Sequence, residues 1–417
     1  MEDLVSAPEL ACRFCGAPLE NVFVDLGAQP LANSYLEPGD LRRPERFYPL
    51  RVYLCEACLL VQLPEEERPE EIFTDYAYFS SYSESWLRHA RDYAAAMVDR
   101  FGIGEDDQVV EIASNDGYLL RWFKERGIPV LGIEPAANVA AAAEAAGIPT
   151  LVRFFGTDTA RDLVHEGKRA DLLVGNNVLA HVPDLNDFVA GLEVLLAPSG
   201  VLTLEFPHLL RLMAEDQFDT IYHEHYSYFS FTTVRRVFAA HGLTLFDVEE
   251  LPTHGGSLRI YARHEADSAQ PVGERVGDLL EREAAAGLAD LATYSAFAAR
   301  VHRVKRGLLR FLIEAKEEGR SIAGYGAPAK GNTLLNFCGV REDMVDYTVD
   351  RSPHKQGRFL PGTRIPIHSP DRLRETRPDY VLILPWNLKE EVMEQMADVR
   401  SWGGQFVVAI PEVTILP

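Results

Sequence analysis

The sequence has no apolar run approaching the ~20 residues that cross a bilayer, and its opening, MEDLVSAPEL, lacks the basic and apolar regions of a secretory signal. No membrane partner is expected, and the expected compartment is the cytoplasm. Basic charge is also short: 41 Lys and Arg stand against 63 Asp and Glu, a formal net charge of −22. Such a field repels phosphate backbones and anionic membranes, which argues against nucleic acid as a partner. Cysteine is sparse, five in 417 residues, and in a reducing compartment disulfides are the poorer reading. No short-period repeat or low-complexity tract occurs, which excludes repeat architectures. The His-Glu-x-x-His pattern of a zinc protease is missing too, because His223 and His225 are only two apart.

What the chain does contain is ordered along its length. At 417 residues it should form two or three domains. Four of the five cysteines fall in two pairs, Cys12-Arg-Phe-Cys15 and Cys55-Glu-Ala-Cys58, so that each pair can offer two thiolates to one tetrahedral ion. Four sulfurs close the coordination shell and leave no position for a reactive water. The metal expected is therefore a structural zinc, in a module covering residues 1–70. Cys338, alone in an apolar segment, reads as a small core residue.

From Val109 to about Phe206 strand and helix patterns alternate, as in a parallel sheet covered by helices. VVEIASNDGYLLRWF (Val109–Phe123) spells a strand, a tight turn over Ala113, Ser114, Asn115, Asp116 and Gly117, and a helix opening at Tyr118. Free N–H groups at a helix start let a ligand approach the backbone. Glu134 ends the next strand about 20 residues on, where an acidic side chain accepts hydrogen bonds from ribose hydroxyls. An NAD site would show the same acidic residue. Asn176–Pro207, which includes Asn176 and Asn177 after the fourth strand, resembles the later motifs of class I methyltransferases and points instead to S-adenosylmethionine. That family usually has glycine where this chain has Ala113 and Asn115.

Alternation resumes in Ser321–Phe337, Met344–Asp350, Asp379–Trp386 and Gln405–Pro411, a second α/β unit. Its first strand enters the turn Gly324-Tyr325-Gly326, which suits a pyrophosphate, although such turns also serve tight packing. The expected architecture is α/β: a zinc module, a Rossmann-like methyltransferase domain over residues 71–265, and a second Rossmann-like domain over 266–417 for the acceptor.

Between the two units lies FDTIYHEHYSYFS (Phe218–Ser230), dense in proton-handling groups. With the paired cysteines, the Asn-Asp-Gly turn, HGGSLRIY (His254–Tyr261), GYGAPAKGN and HKQGRFLPG (His354–Gly362), it gives the chain a resemblance to nucleotide-sugar C-methyltransferases of deoxysugar biosynthesis. The resemblance implies a TDP-linked 4-keto-6-deoxyhexose acceptor, methylation at C-3′, and a monomer that completes its own site. It implies His225 as the base, Glu224 as its orienter or the sugar's, and Tyr222 as donor to the enolate oxygen, with His181 and Tyr76 reaching the same space. On the cofactor side it implies Ala113 to Gly117, Glu134, Phe154, Phe155, Asn176 and Asn177. For the sugar nucleotide, Lys330, Asn332, Lys355 and Arg358 are the candidates. C-5′ methylation, O- or N-methylation and, more remotely, an NAD-dependent oxidoreductase are the alternatives.

Overall fold

The computed structural model describes residues 10–68, 80–82 and 84–416. Near the N-terminus β1 (Asn21–Gln29), β2 (Tyr48–Leu54) and β3 (Val61–Gln62) pair antiparallel. Then come β4 (Val109–Ile112), β5 (Val130–Ile133), β6 (Thr150–Leu151), β7 (Ala170–Asn176), β8 (Leu196–Pro207), the short β9 (Ser227–Tyr228), β10 (Leu243–Leu251) and β11 (Ser257–His264). All but β9 form one sheet, in the order β6-β5-β4-β7-β8-β11-β10, parallel except that β11 runs antiparallel between β8 and β10. A third sheet follows from β12 (Ile322–Tyr325), β13 (Tyr347–Val349), β14 (Ile367–His368), β15 (Tyr380–Ile383), β16 (Gln405–Val408) and β17 (Thr414–Leu416). Its order is β14-β13-β12-β15-β16-β17, parallel until the antiparallel β17.

Local sequence explains most of these elements. Val109-Val110-Glu111-Ile112 is buried at every position, as a parallel strand covered on both faces requires. The helix Glu84–Phe101 buries Ala90, Tyr93, Ala94 and Met97, the one-face spacing of an amphipathic helix. The antiparallel β10–β11 pair is less legible in sequence. β11 is buried along nearly its whole length, and Arg259 and Arg263 interrupt its apolar pattern while being buried themselves.

The helix after the first turn is shorter than expected, covering only Leu120–Lys124 rather than opening at Tyr118. Gly117 N–H bonds back to Ser114 O, and the first α-type bond runs from Arg121 N–H to Gly117 O, so Tyr118 and Leu119 remain in the turn.

The three sheets are not separate bodies. A single apolar core joins β1 and β2 to the C-terminal sheet through the helix Phe297–Glu317, where Phe23 stacks on Phe297 at 4.7 Å. Cys12, Cys55 and Cys58 belong instead to the core under the large sheet. β9 pairs with β3, Val61 opposite Tyr228, so the segment that precedes it is tied directly to the N-terminal sheet.

Candidate active site

At the C-terminal end of β4 the chain makes three left-handed residues in five: Ala113 (φ 54°), Asn115 (φ 51°) and Gly117 (φ 76°). Ala113 and Asn115 thus adopt the conformation that glycine would give at the same positions. A left-handed backbone costs a residue with a Cβ of order 1 kcal/mol or more, so it persists where neighbours over-determine it. Those neighbours are present. Asn115 N–H donates to Glu134 Oε2 at 2.9 Å, and Glu134 Oε1 accepts from Ala136 N–H at 2.9 Å. Glu134 therefore braces the turn with one oxygen and its own loop with the other, each keeping a second lone pair. Gly117 is required twice over, since a Cβ there would also lie 2.8 Å from Ile148.

Around this turn, buried polar atoms lack partners among the described residues: Glu111 Oε2, Ser114 Oγ, Asp116 Oδ1 and both amide atoms of Asn176 at the end of β7. Buried polar groups are ordinarily bonded, so a ring of orphans facing one turn marks a ligand site. Burial, reinforced by Asp116 and Glu134, pushes the Glu111 carboxyl well above its usual value. Asn177, also left-handed (φ 56°), gives its N–H to Glu205 O. Phe155 packs edge-on against Phe188 at 5.4 Å, whereas Phe154 is 40% exposed at the surface. Tyr76 lies outside the described residues.

The four paired cysteines converge, their Sγ atoms all within 4.8 Å of one another, with Cys12–Cys58 and Cys15–Cys55 at 3.5 Å each. Tetrahedral Zn–S bonds of ~2.3 Å place sulfurs about 3.8 Å apart, so the cluster fits zinc with little adjustment. Each pair is shaped by a turn, closed by Gly16 N–H to Cys12 O and by Leu59 N–H to Cys55 O. Gln62 Nε2 donates to Cys12 Sγ at 3.1 Å. The purified protein should carry about one zinc per chain. Metal analysis of Cys55→Ser should find it lost, while Cys338→Ser, remote from the cluster, retains it.

The histidine segment splits by side. His223 Nε2 meets Pro49 O in the N-terminal unit at 3.2 Å. His225 turns the other way, its ring 4.0 Å from Tyr222 and 4.7 Å from His181. His225 Nδ1 lies 2.8 Å from Thr220 O, and a carbonyl only accepts, so Nδ1 carries the hydrogen and Nε2 keeps the lone pair. Tyr226 N–H to Ala180 O, 2.7 Å, fastens the segment to the loop after β7 that bears His181. Burial is the largest cause lowering both rings: His181 falls to about 4, and His225, further depressed by His181, His254 and Lys330, lies well below the ordinary value.

Lys330 comes to this histidine cluster from the helix Ala329–Cys338. Its Nζ donates to Asn387 Oδ1 at 2.6 Å and sits 4.7 Å over the Trp386 ring. Trp386 Nε1 in turn donates to Asp219 Oδ2 at 2.7 Å, and burial raises Asp219 to about 6 against the pull of Lys330. The other expected acceptor residues gather elsewhere. Asn332 Nδ2 donates to Ala32 O, Lys355 Nζ donates to Ala327 O and lies 5.1 Å over the Tyr35 ring, and Arg358 pairs with Glu37 at 2.8 Å, so these three meet a segment of the N-terminal unit. Gly324 and Gly326 are needed for packing, since a Cβ would strike Thr348 at 2.7 Å or Pro385 at 2.6 Å.

Several site residues escaped the sequence reading. His254 is left-handed (φ 55°), with its buried Nε2 unbonded and its ring 5.3 Å from Trp86. The two glycines after it are its one local signal. Asp219 lies within Phe218–Ser230 and Glu205 within Asn176–Pro207, but nothing local singles either out, and Asn33 carries no signal.

The sheet order, with an antiparallel strand inserted next to the edge and the left-handed turn after the first strand, together with the methyltransferase family model matched at residues 86–248, defines a class I, S-adenosylmethionine-dependent methyltransferase. The chain belongs to the C-methyltransferase family: it is 36% identical over 416 residues to C-methyltransferase NovU of Streptomyces niveus, covering 100% of this chain and 99% of that one. Family models match in the same order, a zinc binding domain at residues 12–73, a methyltransferase domain at 86–248 and a C-methyltransferase C-terminal domain at 252–411. Among solved structures, similarity extends to an S-adenosylmethionine dependent methyltransferase from Mesorhizobium loti (17% identity, 43% of this chain, 100% of that chain, TM-score 0.34). It also extends to magnesium protoporphyrin IX methyltransferase from Synechocystis PCC 6803 with bound SAM (14%, 42% and 78%, TM-score 0.33). The methyl donor is S-adenosylmethionine, and the cysteine cluster is a structural zinc site.

Proposed function

We propose that the protein methylates a carbon next to the keto group of a TDP-linked 4-keto-6-deoxyhexose, at C-3′, in deoxysugar biosynthesis. The observation that carries this reading is His225: its Nδ1 is committed to Thr220 O, and its Nε2 keeps a lone pair beside Tyr222 and His181. A carbon next to a ketone becomes nucleophilic only after losing its proton, so such a site needs a base and a donor to the enolate oxygen.

His225 Nε2 takes the C–H proton; the C–H pair becomes a C=C bond, and the carbonyl π pair moves onto oxygen, where the Tyr222 hydroxyl donates. Lys330 adds positive charge for that oxygen, and Glu224 orients the sugar or the base. S-adenosylmethionine, when bound, would supply an electrophilic methyl group for that carbon, its sulfur keeping the pair of the bond that breaks. The residues that would hold it are Ala113 to Gly117, Glu134, Asn176 and Asn177, with Phe154 and Phe155 on the adenine side. Lys355, Arg358 and Asn332, whose Oδ1 has no partner among the described residues, would serve the nucleotide portion with the segment Ala32–Glu37 in place.

A monomer that completes its own site is the expected assembly. The charge of −22 disfavours nucleic acid, and among the described residues no helix is long and apolar enough to cross a membrane. The relative's description as a C-methyltransferase favours carbon over oxygen or nitrogen.

Incubation with a TDP-4-ketosugar in deuterated water should exchange the hydrogen on the carbon next to the ketone, and NMR of the methylated product should place the methyl at C-3′. A methyl at C-5′ or on a heteroatom would refute the reading. The pH profile gives a second check. A base must be unprotonated to act, and His225 protonates only well below the ordinary histidine value of 6.5. The acid limb of kcat/KM is therefore expected below pH 6.5, and a half-maximal point at or above that value would assign the limb to another group.

A further inference from the structure

We infer that the zinc module supplies a positioning residue to the active cleft: Asn33, which holds the carboxylate of Glu224. The inference rests on the proposed role of Glu224 toward the acceptor. Asn33 Nδ2 donates to Glu224 Oε1 at 2.7 Å, across 191 residues of chain. Its amide orientation is set by the carboxylate, because the reverse flip would oppose Oδ1 to it.

The segment around Asn33 is anchored on both of its other sides. Ala32 O accepts from Asn332 Nδ2 at 2.6 Å, and the Tyr35 hydroxyl bonds Ala327 O at the Gly-rich turn. Leu36 and Phe359 exchange both backbone bonds, at 3.0 and 2.9 Å. Thus the first module reaches between the methyltransferase unit and the C-terminal sheet and touches the chemical segment itself. That segment returns the contact, since β9 leaves it to become the fourth strand of the zinc module's sheet. A glutamate side chain has three rotatable bonds, and one fixed donor selects among its rotamers. The zinc module in this arrangement sets catalytic geometry as well as holding the fold.

The test uses the full chain, loaded with zinc. Asn33→Ala is expected to lower kcat and solvent exchange at the acidic carbon together by about 10- to 100-fold, the scale of a misplaced catalytic group. KM for S-adenosylmethionine, zinc content and melting temperature should stay unchanged. Asn33→Asp sets a second carboxylate beside Glu224, so the acid limb of its pH profile should move upward relative to Asn33→Ala. If Asn33 acts through Glu224, adding Asn33→Ala to Glu224→Gln costs nothing further. Wild-type kcat and pH profile in both Asn33 variants, or losses that simply multiply in the double variant, would overturn the inference. Full activity in Glu224→Gln would instead sink the reading of Glu224 on which it stands.

Discussion

Replacing His225 by asparagine is expected to lower methyl transfer by about 10²- to 10⁴-fold, the range for removing a positioned general base. The substitution is chosen for its geometry. Asparagine can still donate to Thr220 O and roughly fills the space beside Tyr222, but it has no basic lone pair at the position of Nε2. Binding of S-adenosylmethionine should be unaffected, because the residues bracing the donor turn, Glu134 foremost, lie elsewhere. Steady-state kinetics combined with exchange in deuterated water separates the two half-steps. Loss of both identifies the proton acceptor. If the His225→Asn variant supports exchange and transfer at the wild-type rate, the base is another group, and His181, edge-on at 4.7 Å, is the next to test.

The largest effect on stability is expected at Arg259. Its Nε and Nη2 both bond Glu205 Oε1, at 2.8 and 2.6 Å, and its Nη1 reaches Glu249 Oε2 at 3.1 Å. His89 Nε2 takes the other Glu205 oxygen at 2.8 Å. Glu205 is 1% exposed and Arg259 6% exposed, with the guanidinium 4.8 Å over Tyr93. Two ions so deeply buried contribute little net stability as a pair, but removing one strands the other. Arg259→Met should therefore destabilise the fold by about 3–5 kcal/mol in chemical denaturation. Adding Glu205→Gln to that variant should recover much of the loss, since the stranded charge is gone. A loss below about 1 kcal/mol in the single variant would show water reaching Glu205.

The pH dependence of this pair has a definite sign. Burial alone would raise the Glu205 carboxyl, but the His89 hydrogen bond and the Arg259 charge together hold it below the ordinary range. Its contribution is fully present above the unfolded glutamate value of about 4.3 and disappears as the pH falls through the lowered value.

The chemistry-bearing residues differ in how readily their sequence context announces them. The two Cys-x-x-Cys pairs and the strand before Glu111 are local patterns, and each is built from neighbours in the chain. The turn is harder to read, since Ala113 and Asn115 occupy positions where glycine is usual. In the structure both residues take left-handed backbone, and Glu134 braces Asn115 there. The Gly-rich turn before Lys330 predicts that this side chain meets an anion. In the structure its Nζ bonds Asn387 and lies over Trp386, with the Asp219 carboxyl acting on its charge, because a side chain on a helix is aimed by what packs around it. Asn332, Lys355 and Arg358, grouped with it as acceptor residues, are drawn toward Ala32–Glu37. His254 is readable as part of a motif, but its unbonded Nε2 is not.

By itself the sequence determined the alternation of strand and helix and the zinc ligands, because periodicity and ligand spacing are properties of contiguous residues, while the donor and the reaction class came from the family resemblance of its motifs. Only the tertiary structure decided that His223 and His225 face opposite ways, that Arg259 neutralises Glu205, and that Asn33 reaches Glu224 from 191 residues away. Those relations depend on how sheets pack, and no local pattern records the partner a buried polar group will find.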